Sequence, residues 1–101
     1  MTESDAALRA RWRELVEDRM PRAASEHADW PVRFDHCFAR ILLDCAHDRP
    51  WRDVVAPPAW RNASPEALRR AVSLGEGVLD GRHDLAALNR RSLELRGKLR
   101  R

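Results

Sequence analysis

Leu8, Trp12, Leu15, Val16 and Met20 recur at the three- and four-residue intervals of one helix face, with Arg9, Arg11, Arg13, Glu14, Glu17 and Asp18 opposite. The spacing predicts a first helix over 4–20, capped by Ser4 or Thr2. Pro21 lacks the N–H that a helix interior needs, so it ends this helix or starts a short turn through RAASEHAD.

A second periodic stretch follows Trp30-Pro31, a pair biased to extended backbone. Phe34, Phe38, Ile41, Leu42 and Cys45 fit a buried face, and Asp35 stands where an N-cap belongs, giving a helix over 36–46. The connector DRPWRDVVAPPAWRNAS has no long period; it carries a helical turn at Trp51–Val55, an extended link at Pro57-Pro58, and packs Trp51 and Trp60 onto the helices. Ser64-Pro65-Glu66 combines an N-cap, a proline at the first helical position and an acid in the first turn. It opens a helix over 65–80 with Leu68, Ala71, Val72, Gly75, Val78 and Leu79 inward and Gly81 as its stop. Gly75 on that stripe points to a close helix approach, because an interior glycine otherwise costs about 1 kcal/mol against alanine. Asp84 caps a last helix over 85–96 in which Leu85, Leu88, Ser92 and Leu95 recur at a and d spacing, and Gly97 begins a basic tail over 97–101. No strand pair or repeat is visible. The expected architecture is all-α, one domain of about four helices with an irregular Trp/Pro connector.

A chain of 101 residues supports one modest core. No apolar run approaches the roughly 18–20 residues of a membrane span, and the charged start MTESDAALRARWREL does not resemble a signal peptide. A cytoplasmic protein with both cysteines reduced is expected. Of the basic residues 18 are Arg and only Lys98 is Lys, a bias that suits either bidentate anion contacts or the codon habit of a GC-rich genome.

The stretch WPVRFDHCFARILLDCAHDRPW carries the densest candidate chemistry. Its His and Cys residues lack the C-x2-C or H-x3-H spacing of a zinc site, and Cys37 and Cys45 stand about 12 Å apart along a helix at 1.5 Å per residue. No metal and no cofactor is expected. His36 and Cys37 are sequence neighbours and face different ways, so they make a poor nucleophile–base pair. His36, Arg40 and Asp44 share one side at four-residue steps. They form either a solvated row with an Arg40–Asp44 pair, or, with Asp35 beside them and Trp51 closing one side, a polar pocket for an enzyme or small-ligand-binding domain.

Charge gathers at the C-terminus. From Asn89 onward six bases face one acid, Glu94, giving +5 there and −2 over residues 1–88. Arg90, Arg91, Arg96, Lys98, Arg100 and Arg101 therefore form a candidate phosphate-contacting cluster, and the first reading is a helical binding protein for nucleic acid or another polyanion. No helix-turn-helix, zinc-finger, RNP or KH signature accompanies it. A protein–protein module that forms a homodimer through the Leu85, Leu88, Leu95 seam is a third reading.

DHCFARILLD, residues 35–44, and LNRRSLELRGK, residues 88–98, resemble a group of small single-domain bacterial and fungal hypothetical proteins, over most of the chain from Trp30 onward. The resemblance implies one domain and no particular activity. Part of that group carries an acetyltransferase label, which would require a strand-rich core and a Gly-containing pyrophosphate loop. Neither is readable here, and no residue is carried over.

Overall fold

A computed structural model describes residues 3–98, and every regular element in it is helical. The elements are α1 (Asp5–Glu14), a π-helical segment (Leu15–Arg19), α2 (Met20–Ala24), α3 (Asp35–His47), a 3-10 turn (Trp51–Asp53), α4 (Ala59–Asn62), α5 (Pro65–Leu79) and α6 (Leu85–Leu95). The all-α class predicted from periodicity is the observed one.

The first helix passes through Pro21 instead of ending there. Pro21 has no N–H to give the Glu17 carbonyl, and the ladder ahead of it slips from four-residue to five-residue bonds, with Met20 N–H donating to the Leu15 carbonyl. Proline then occupies the first turn of α2, where a missing N–H is harmless. Leu8, Trp12, Leu15, Val16 and Met20 thus stay in one buried row across the irregularity. Ser4 caps α1, its Oγ accepting the Ala7 N–H at 3.1 Å; Thr2 lies outside the described residues.

Helix α3 is central, packed on α5, α6 and the π segment. It buries Phe38, Ile41, Leu42 and Leu43, with Cys45 packed against the core, but the prediction fails at its N-terminal end. Phe34 precedes the helix, is 65% exposed, and stacks on the exposed His36 ring at 6.0 Å between centroids. Asp35 is the first helical residue rather than the N-cap, its Oδ1 accepting the His36 N–H at 2.7 Å. The helix closes at Asp48, left-handed with φ 57°, a conformation that Asp reaches more readily than most residues.

Helix α5 begins as its sequence indicates, with Ser64 Oγ accepting the Ala67 N–H at 3.2 Å and Pro65 in the first turn. A Cβ at Gly75 would stand 2.6 Å from Leu15 Cδ2 and 3.0 Å from Leu42 Cδ1. Three elements therefore converge where one side chain is missing. The connector adds a short helix, α4, that periodicity did not reveal, since four residues carry too little pattern. The first part of the α6 Leu seam faces inward, with Leu85 2% exposed and Leu88 packed on the core, while Leu95 is half-buried.

Gly75→Val should lower stability by roughly 1–3 kcal/mol, because the added carbons must displace two leucines that are themselves buried. Urea unfolding measures this; a variant as stable as the parent would mean that α5 has room to move away.

Candidate functional site

Steps of four residues on an α-helix overshoot a full turn by about 40°, so His36 and Asp44 differ by about 80° around α3. That drift divides the predicted row. His36 has a side chain 77% exposed. Arg40 turns toward α6, donating from Nη1 to Ser92 Oγ at 2.7 Å and from Nη2 to Asn89 Oδ1 at 2.9 Å. Asp44 is completely buried.

The expected Arg40–Asp44 surface pair does not form. A carboxylate removed from water needs close, hydrogen-bonded counter-charge, and Asp44 finds it on α6. Arg96 donates from Nε to Oδ2 at 2.5 Å and from Nη2 to Oδ1 at 3.1 Å. Ser92 Oγ donates to Oδ2 at 2.7 Å and the Trp51 backbone N–H donates to Oδ1 at 2.9 Å. Ser92 relays between the two charges of α3, accepting from Arg40 and donating to Asp44. The bond to Asp44 raises the Arg96 pKa further above its already high ordinary value.

This network also changes the C-terminal cluster. Arg96 belongs to the interior, and Arg91 donates from Nη2 to Asp48 Oδ1 at 2.6 Å. Arg90 and Lys98 are exposed and enter no ion pair among the described residues. Arg100 and Arg101 lie outside the described residues.

On the other flank of α3 lies a groove of about 180 Å3. Asp35, His36 and Trp51 border it, as the pocket reading expected, but Arg40 and Asp44 do not. Its walls are apolar: Trp12 and Val16 from the first helix, Ala39 and Leu43 from α3, and Trp60 from α4. Trp60 is held through its backbone, its carbonyl accepting from Arg9 Nη1 at 2.9 Å while Arg9 Nη2 donates to the Ala63 carbonyl at 3.0 Å. The predicted polar pocket is thus an apolar groove with a polar rim. Trp12 and Val16 were readable as an apolar stripe; that its edge borders an open space depends on the π segment and on where the connector returns.

Cys37 and Cys45 remain free thiols, and no group of three or more His, Cys, Asp or Glu among the described residues is arranged to hold a metal. Cys45 Sγ donates to the Leu88 carbonyl at 3.4 Å. Burial, aided by the Asp44 charge, pushes its pKa from 9.0 to about 11, which suits a packing role.

No family model matches the chain, and neither a curated protein nor a solved structure does.

Replacing Arg96 by Met should destabilise the fold by about 3–5 kcal/mol, because it leaves the buried Asp44 carboxyl without its counter-ion and two of its donors, whereas the double change Asp44→Leu with Arg96→Met should be milder. Chemical denaturation of the three proteins tests this, and equal losses would show that the ion pair itself is not the issue. The raised Cys45 pKa favours folding fully below pH 9.0 and loses that contribution as pH climbs toward about 11. At pH 8, folded Cys37→Ser protein should therefore react with a disulfide reagent far more slowly than the same protein in urea.

Proposed function

We propose that this is a cytoplasmic small-ligand-binding domain whose groove takes an apolar body the size of one aromatic ring. The supporting observation is the convergence of Trp12, Trp51 and Trp60 on one open space of about 180 Å3. A cavity of about 150 Å3 accepts benzene, so the volume suits a single ring with a short substituent. Apolar walls with few polar groups at the mouth are the ordinary makeup of a ligand site. Asp35, His36 and Glu17 at the rim are exposed, which suits them to orient the polar end of a ligand.

Polyanion contact is the second reading, favoured by the exposed Arg90 and Lys98, which form no ion pair among the described residues. With Arg96 and Arg91 engaged by acids, it has fewer free cations than the sequence suggested. The salt dependence of binding to a nucleic acid should be correspondingly shallow.

Benzyl alcohol is a suitable probe of the groove. In a 15N titration the indole N–H signals of Trp12, Trp51 and Trp60 should move together. Trp30, stacked on His27 at 4.6 Å and away from the groove, should stay in place. Ala39→Leu should fill the groove and remove the response with little change in melting temperature. Uniform movement of all four indoles, or none at millimolar probe, would count against the reading.

A further inference from the structure

Trp51 is the groove wall with the least regular structure behind it. Pro50 precedes it and has no N–H; the turn after it is held by the Val54 and Val55 N–H groups, which donate to the Trp51 carbonyl at 3.1 and 2.9 Å. Its own N–H goes back to α3, to Asp44 Oδ1. Between them Asp44 also anchors the helix end, its backbone carbonyl accepting the N–H of Asp48 and, at 3.2 Å, that of Arg49. One residue thus closes the chain from the end of α3 to the start of the 3-10 turn.

What aims that carboxylate comes from α6. Arg96 grips both oxygens and Ser92 holds Oδ2, so the plane of the carboxylate, and with it the direction of Oδ1 toward Trp51, is set by two side chains of a helix that does not border the groove. We infer that Arg96 and Ser92 are positioning residues for the ligand groove, acting through Asp44 on Trp51. This rests on the groove reading above and adds to it a control element on the opposite side of α3. The Arg40 bond to Ser92 extends the same chain by one member, since it orients the hydroxyl that Ser92 gives to Asp44.

The linkage gives the C-terminal helix leverage over a site it never touches. A change that withdraws Arg96 leaves Oδ1 free to rotate and the Trp51 N–H without a fixed acceptor. The turn then relaxes into or away from the groove. Helix packing by itself gives no such directional effect: an equal loss of stability elsewhere leaves the Trp51 N–H bonded.

The test compares Ser92→Ala and Arg96→Lys, which keep volume or charge, with Val78→Ala, a buried truncation in α5 that does not touch the network. All are examined well below their melting temperatures. The expected result is that Ser92→Ala and Arg96→Lys shift the backbone and indole N–H signals of Trp51 and weaken benzyl alcohol binding by roughly tenfold, the scale on which outer supporting groups tune a site. Val78→Ala should leave both unchanged. Unmoved Trp51 signals in folded Ser92→Ala and Arg96→Lys proteins would overturn the inference. Should the parent protein take no probe, the groove reading fails while the Trp51 signals still decide the positioning role.

Discussion

A carboxylate with no exposure to water has four donors around it, and the molecule is arranged to supply them. Three come from Arg96 and Ser92 on α6 and the fourth from the Trp51 backbone. Desolvation of a buried ion pair largely offsets its Coulomb attraction, so Asp44 is not the source of net stability; the apolar rows of α1, α3 and α5 are. What the pair supplies is register. Asn89, Ser92 and Arg96, at three- and four-residue steps, form one stripe on α6 that meets Arg40 and Asp44 on α3. Sliding or rotating α6 by one residue would strand a buried charge.

Several arginines are likewise turned inward. Arg33 donates to the Ala24 carbonyl at 2.6 Å, Arg70 to the Ala46 carbonyl at 3.1 Å, and Arg9 to the Trp60 and Ala63 carbonyls. These acceptors lie in or just beyond the last turns of α2, α3 and α4, where helices leave carbonyls without intrahelical partners and where positive charge complements the helix dipole. A planar fork with several donors can reach two such carbonyls at once, which the point charge of lysine does less well. Arg96 extends the pattern from carbonyls to a carboxylate. Four of the nineteen basic residues, Arg9, Arg33, Arg70 and Arg96, are thus committed to holding helix ends and the α3–α6 contact in place.

Helix content was legible because burial follows the 3.6-residue period within the long helices, from Leu8 to Met20, Phe38 to Ala46 and Ala67 to Val78. Partnership between helices leaves a fainter trace. Asp44 interrupts the run ILLDCA, and Ser92 replaces a leucine at a seam position shared with Leu85, Leu88 and Leu95. Two polar interruptions of two apolar stripes are what a buried polar contact looks like in one dimension. The four-residue spacing of His36, Arg40 and Asp44 instead suggested one row, either solvated or lining a pocket, because it ignored the cumulative rotation of the helix. The groove was half legible: Trp51, Asp35 and His36 were placed beside a pocket, while Trp60 and Glu17 come to it through a chain reversal and a π segment that hydrophobic spacing does not encode.

The groove joins walls of two physical kinds. Trp12, Val16, Ala39 and Leu43 sit on long helices whose positions are fixed by core packing. Trp51 and Trp60 sit on a three-residue turn and a four-residue helix, too short to be stable by themselves. Each short element is tied to a long one by a polar contact at its backbone, Asp44 to the Trp51 N–H and Arg9 to the Trp60 carbonyl. The two ties come from different helices, one from α3 and one from α1, so the backbone behind each indole is anchored independently. Under the proposed reading, a ligand entering such a groove would lose little ordering entropy on binding.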